Sequence, residues 1–464
     1  MIKLLNTLKE KYIYLIYILV AILFIYQHTL GIGWDFASYT LNAKYFFSSG
    51  TYFEWLRPPL APFLMGMLSI FTWKLAPYFY IIFLVTLHFY SSLILAKKFN
   101  IDPNIYYIIS LSPFFLIYSL REGTEILSLS LLQLFLAYLN NKGSGIFLAL
   151  AFLTRYPNII FLPLILFKKN IKKILFELIL FILILSPWLL YNYALTGNAL
   201  TSIADAYALN IKFRLEYINF NFNILDIILF GNYLLIFTLL YFLKNSKNLN
   251  KKDFIMLIFL ALFLISYLRT PIKVFRYLFL ILIPLAYFSA KYLEKLKNKF
   301  KIALILLLIS IIIFIFSFTL NNDLENFNLE KQAKNNLDNC NLMSNRWVPM
   351  NYIGVTSLPA PRKELLQYYI NKGNRILIFY KSDEPDYSTD MKFLENFNVI
   401  KKTDSYILLG DRQKCSKPLE KFELNYLSSL NETVYLLKNE TIDISNCNIL
   451  FNDKMPLLCK SKSI

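Results

Sequence analysis

Five long stretches of this chain contain no charged side chain: 12–34, 75–96, 103–120, 178–204 and 302–320. A helix in water buries one stripe and charges the other, so a run that is apolar on every side is solvated by lipid. Crossing the hydrocarbon layer takes roughly 20 such residues. The composition agrees, at 57% hydrophobic and 17% charged, against about 25% charged in a soluble domain. The sequence predicts an α-helical polytopic membrane protein. Lys3, Lys9 and Lys11 precede the first run as in a signal peptide. That run exceeds the roughly 7–15 apolar residues of a signal core and lacks a small-x-small cleavage site, so it reads as an uncleaved span.

The formal charge of +18 does not call for nucleic acid. The connectors 1–11, 97–103, 140–143, 168–173, 244–253 and 291–301 hold 19 Lys/Arg against 4 Asp/Glu, whereas the others, with Arg155, hold 10 against 7. Residues 321–464 hold 19 against 18. Basic residues concentrated on alternate short connectors mark the cytoplasmic side. The expected topology has about eleven spans in the plasma membrane, the N-terminus inside and the tail outside. Spans are expected at 12–30, 75–96, 104–120, 124–140, 176–195, 227–243, 254–268, 274–290 and 302–320. Residues 143–167 are expected to form a hairpin with Arg155 at its turn, which keeps Lys168, Lys169, Lys172 and Lys173 inside. Each arm of about 12 residues reaches only about 18 Å, which draws Arg155 below the outer surface.

This reading yields two domains: a transmembrane part, 1–320, with an outer loop at 31–74, and an extracytoplasmic domain, 321–464. The tail contains all four cysteines, Cys340, Cys415, Cys447 and Cys459, which suggests two disulfides of unreadable connectivity. Asn431 and Asn439 open its N-x-[ST] sequons. Helical character at 362–372 and 388–397 alternates with strand-like runs at 375–380 and 406–409, which suggests a small α/β domain.

The first outer loop reads Gly33-Trp-Asp35-Phe-Ala-Ser-Tyr39, then Ala43, Gly50 and Arg57-Pro-Pro-Leu-Ala-Pro62. Residues 36–47 suit an amphipathic helix along the membrane, and 60–73 is apolar but too short to span. Asp35 is either a solvated helix-end charge or an acid held at the mouth of a membrane cavity. This loop resembles the first outer loop of GT-C superfamily glycosyltransferases, above all the protein O-mannosyltransferase and aminoarabinose-transferase branch. Thr124-Glu-Ile-Leu, Leu153-Thr-Arg-Tyr-Pro157, Pro187-Trp-Leu-Leu-Tyr-Asn192 with Gly197-Asn198, and Arg276-Tyr277 with Pro284 resemble further elements in the same order. One departure stands out. Many members carry Asp-Glu where this chain has Asp35-Phe36, so a second acid is absent or supplied by Glu122 or Glu125.

The resemblance implies inverting sugar transfer from a polyprenyl- or dolichyl-phosphate donor to an acceptor hydroxyl on the outer side. The residue types suit that chemistry. A carboxylate such as Asp35 can take the acceptor proton. Arg57, Arg155, Arg269, Lys273 and Arg276, all expected near the outer surface, are candidates for the leaving phosphate. For Arg269, Lys273 and Arg276 the plainer alternative is interfacial snorkelling. Glu122 and Glu125 are candidates for a divalent cation or acceptor contact, for pairing with Arg121, or for capping the fourth span. No cofactor is required by the sequence. His28 and His88 read as packing residues. A transporter or flippase for a lipid-linked or anionic substrate is the alternative, but no span repeat or acidic relay supports it. A membrane anchor displaying the tail leaves Arg155 unexplained.

Overall fold

The uncharged runs become helices because a backbone in hydrocarbon has no solvent to satisfy its N–H and C=O groups. The computed structural model describes residues 2–47, 50–121, 123–168, 170–207, 224–270, 275–320, 327–380 and 385–425. Glu122, Lys273, Asn431, Asn439, Cys447 and Cys459 lie outside them. The described chain divides into two compact units. One draws on 1–40, 58–201 and 210–326, the other on 41–57, 202–209 and 327 onward. Two short stretches from before residue 320 are thus grouped with the tail.

The first unit is helical. It begins with α1 (Ile2–Leu30) and the start of α2 (Trp34–Phe46), followed by α3 (Leu60–Leu68) and α4 (Ala76–Phe99). A single span was expected over 104–120, but two helices occupy it, α5 (Pro103–Ser110) and α6 (Pro113–Tyr118). Pro113 cannot donate a helical hydrogen bond, and Ser112 caps the new helix by accepting from the Phe115 amide at 3.4 Å. Next come α7 (Glu125–Ala137), α8 (Ser144–Thr154), a 3₁₀ segment (Tyr156–Phe167) and α9 (Ile171–Thr196). Short α10 (Thr201–Tyr207) precedes α11 (Ile224–Asn245) and α12 (Lys251–Arg269). A second 3₁₀ segment (Phe275–Ile281) leads into α13 (Leu282–Leu293), and α14 (Lys299–Leu320) ends the unit.

Five described helical stretches are long and apolar enough to cross a bilayer: Tyr12–Leu30, Ala76–Phe99, Ile171–Thr196, Arg276–Leu293 and Lys299–Ser317. They leave large apolar side chains uncovered, among them Leu15, Ile182, Leu190, Leu308 and Phe316, as a lipid-facing surface does. The expected interfacial helix at 36–47 is α2, but Phe36 through Ala43 are all buried. Its polar residues are satisfied internally: Thr40 Oγ1 donates to the Phe36 carbonyl at 2.9 Å, and Asn42 exchanges two 2.9 Å bonds with the Glu54 backbone. His28 packs on Phe36 and Tyr78, and His88 stacks on Phe115.

In the second unit, β1 (Tyr52–Glu54) pairs in parallel with a strand near residue 423. Beyond it lie α15 (Asn328–Lys334), β2 (Leu342–Ser344), α16 (Trp347–Tyr352), β3 (Ser357–Pro359), α17 (Leu366–Asn371) and β4 (Arg375–Phe379). Then follow α18 (Met391–Leu394), β5 (Val399–Lys402), β6 (Tyr406–Leu409) and β7 (Phe422–Leu424), the partner of β1. The main sheet runs β3-β2-β4-β6-β5. Its first three strands are parallel, and β6 runs antiparallel to both β4 and β5. Ile376 and Ile378 enter one apolar cluster with Leu366 and Leu394, whereas Leu377 and Phe379 enter another with Ala333 and Met350. Both faces of β4 are covered, which is why its sequence is apolar without alternation. Cys340 and Cys415 form a disulfide.

Candidate functional site

Asp35 sits in the first turn of α2, with its side chain 17% exposed. The turn that delivers it requires a glycine. A Cβ on Gly33 would lie 2.0 Å from the Arg121 carbonyl oxygen. The Gly33 carbonyl in turn accepts from the Ala37 amide at 3.0 Å. One carboxylate oxygen of Asp35, Oδ2, accepts from Nη1 of Arg276 at 2.6 Å. Arg276 belongs to the 3₁₀ segment Phe275–Ile281.

A second ion pair is built the same way. The helical ladder of α8 stops at Arg155, whose φ of −151° and ψ of 114° are extended, and the 3₁₀ segment that follows carries Pro157 in its first turn, where no helical N–H is needed. Asn158 pins this junction, donating to the Ala151 carbonyl at 2.7 Å and to Ser128 Oγ at 2.8 Å. Arg155 thereby reaches Glu125 at the start of α7, and Nη1 donates to Oε1. The Glu125 side chain is 1% exposed, and its other oxygen accepts from the Thr124 amide and hydroxyl at 3.3 and 3.4 Å.

The two pairs share one aromatic ring. The guanidinium of Arg155 lies 5.8 Å, and that of Arg276 5.6 Å, from the centre of Tyr277. Arg155 and Arg276 also repel each other electrostatically, and Tyr39 lies within reach of Arg155. The result is a chain of charge, Asp35–Arg276–Arg155–Glu125, folded around Tyr277. Each arginine is neutralised by an acid, and each remains about one-fifth exposed.

Arg57 belongs to the second unit, where its Nε donates to buried Glu54. Arg269 is exposed at the end of α12. Among the described residues, no three His, Cys, Asp or Glu side chains come together to hold a metal. The position after Asp35 is spent on packing: Phe36 faces Gly123, where an added Cβ would meet its ring at 2.8 Å. Tyr39 and Tyr277 stood inside the motif-like stretches, but the sequence assigned neither a role. Trp188 meets the hairpin through a 3.1 Å bond to the Tyr156 hydroxyl.

No protein-family model matches the chain, and no curated protein does. Solved structures similar in fold include two of one protein. One is ArnT from Cupriavidus metallidurans bound to undecaprenyl phosphate, with a TM-score of 0.59 at 9% identity over 85% of this chain and 97% of that one. The other is the same protein in the apo state, with a TM-score of 0.54 at 9% identity over 80% and 92%. The chain shares the overall fold of that protein. At this identity the likeness lies in the architecture. Within this fold, the charge chain is assembled from the stretches whose sequences resemble GT-C motifs: Asp35, Thr124-Glu125, Arg155 and Arg276-Tyr277.

Proposed function

We propose that this chain is an inverting glycosyltransferase that moves a sugar from a polyprenyl-phosphate-linked donor to an acceptor hydroxyl at the extracytoplasmic face. The observation that carries the reading is the paired arrangement of Asp35–Arg276 and Glu125–Arg155 around Tyr277. Guanidinium groups bind phosphate oxygens through two parallel bonds, and both arginines here keep an exposed edge. The donor phosphate competes with the carboxylates for them. Asp35, partly exposed, is the easier to displace; Glu125, buried and held by Thr124, stays with Arg155.

Asp35 released in this way takes the proton from the acceptor hydroxyl. The acceptor oxygen then forms the bond to the anomeric carbon as the bond from that carbon to the phosphate oxygen breaks. The electron pair leaves with the lipid phosphate, whose charge Arg155 and Arg276 stabilise. Arg269 and Lys273 are assigned secondary contacts with the donor. About eleven spans, with the cysteine-bearing tail outside, complete the proposed topology.

The deciding experiment supplies purified protein with a radiolabelled polyprenyl-phosphate sugar and a membrane extract of acceptors. Label leaving the lipid for an acceptor supports the reading. Label that remains on the lipid under all conditions, or that crosses the bilayer unaltered, counts against it.

A further inference from the structure

Lys168, Lys173 and Lys251 line one cavity of about 230 Å³ in the first unit, together with Asn140, Phe167 and Asn170. The lysines come from three places: Lys168 after the 3₁₀ segment Tyr156–Phe167, Lys173 in the first turn of α9, and Lys251 at the start of α12. Lys168 is buried and already neutralised. Its Nζ reaches Glu177 Oε1 at 3.0 Å and donates to the Asn141 carbonyl, while the amides of Gly143 and Gly145 also bind that carboxylate.

Lys173 and Lys251 are different. Both are exposed, and neither has a carboxylate within ion-pair distance among the described residues. Each sits at the positive end of a long helix, where a cation is disfavoured and an anion is welcome. Asp253 does not offset Lys251, because Lys291 at 2.6 Å, Tyr287 at 2.7 Å and the Asn250 amide at 2.9 Å hold it. Topology accounts for lysines on this side of the membrane. It does not account for their convergence on one concavity.

On the side of α9 that bears Lys173, apolar side chains are left uncovered: Phe176, three positions on, and Leu183, ten positions on, exposed by 42% and 61%. The cavity is smaller than the roughly 300–1,000 Å³ of sites that enclose a drug-sized molecule. Its size and charge suit a phosphate group, and the adjoining apolar side chains suit hydrocarbon. Basic pockets between spanning helices take up lipid headgroups in this way.

We propose that this cavity binds the phosphate of an anionic phospholipid, with the acyl chains lying along α9, on the side that the lysine count assigns to the cytoplasm. The site needs the membrane-spanning reading but not glycosyl transfer, so it stands or falls separately from the proposed enzyme. The test uses the full-length chain and native mass spectrometry of the protein released from bilayers of phosphatidylcholine with a minor share of phosphatidylglycerol. One phosphatidylglycerol should be retained preferentially. The Lys173→Gln/Lys251→Gln variant should retain it about 30-fold more weakly, and Lys173→Arg/Lys251→Arg should restore it. The charge-matched Lys297→Gln/Lys301→Gln variant should bind as the unaltered chain does. Equal loss in both glutamine variants would mean diffuse surface attraction and overturn the site. So would equal retention of phosphatidylcholine, or no loss in Lys173→Gln/Lys251→Gln. Inorganic phosphate, offered to lipid-free protein in detergent, is the second arm. Phosphate binding that is lost in Lys173→Gln/Lys251→Gln, with no phosphatidylglycerol retained, would replace the lipid with free phosphate.

Discussion

Arg276 donates from Nη1 to Oδ2 of Asp35 at 2.6 Å, across 241 positions of sequence. This one bond joins the two features the proposed reaction needs, a base for the acceptor and a cation for the departing phosphate. In the proposed reaction it would also keep both quiet until a donor arrives. A carboxylate held by a guanidinium is a poor base, and a guanidinium held by a carboxylate is a weak phosphate ligand. Each becomes competent when phosphate takes the arginine.

Asp35→Asn should therefore abolish sugar transfer, by about 10²–10⁴-fold if only the proton-transfer contribution is lost. Donor binding should be unchanged or slightly tighter, because Arg276 loses a competitor. Kinetics with separate titration of donor and acceptor would show this as a fall in kcat. A variant that turns over normally would remove Asp35 from the role of base.

Arg155 and Glu125 separate folding from donor use. Arg155→Ala leaves the Glu125 carboxylate, 1% exposed, without its cation, a change that costs roughly 3–5 kcal/mol in comparable buried pairs. The double variant Arg155→Ala/Glu125→Gln should recover most of that stability in a thermal melt. It should still require much more donor to reach half-maximal rate. Donor dependence that returns along with stability would reduce Arg155 to a structural role.

The Cys340–Cys415 bond closes 75 residues of chain, for which loop entropy gives about 4 kcal/mol. Cys340→Ser/Cys415→Ser should lower the melting temperature of the tail and open it to proteolysis. Reductant should do the same to the unaltered chain. If the tail lies outside, the thiols of cells should resist alkylation until reduced; ready labelling in intact, unreduced cells would place the tail inside.

Gly33→Ala tests how Asp35 is positioned. The new Cβ meets a backbone oxygen at 2.0 Å, which cannot swing aside as a side-chain tip would. Overpacking of this kind costs about 1–3 kcal/mol, and here it displaces the turn two residues before Asp35. Transfer should fall sharply while the protein still inserts and binds donor. Full activity would show that the approach of Gly33 to Arg121 is dispensable.

Much of the membrane architecture was legible because apolar runs and lysine placement are local quantities. The reversal at Arg155 followed from counting: only a hairpin kept the lysines at 168–173 on one side. The break between α5 and α6 was missed although Ser112-Pro113 signals it, since the uncharged run masked the stop. The helix at the first loop was legible in position but not in burial. Its apolar spacing suited an interface, whereas Thr40 and Asn42 found partners only the folded chain supplies.

Sequence alone determined that this chain is solvated by lipid and that its cysteines belong to one region. Those properties depend on the composition of short windows, and lipid leaves the backbone little choice but helix. Tertiary structure alone decided who pairs with whom: Arg276 with Asp35, Arg155 with Glu125, Cys340 with Cys415, and Tyr52–Glu54 with Phe422–Leu424. A charge carries no local mark of its partner. The partner is selected by packing, which brings together residues that are dozens to hundreds of positions apart and leaves a buried charge stable only where an opposite one meets it.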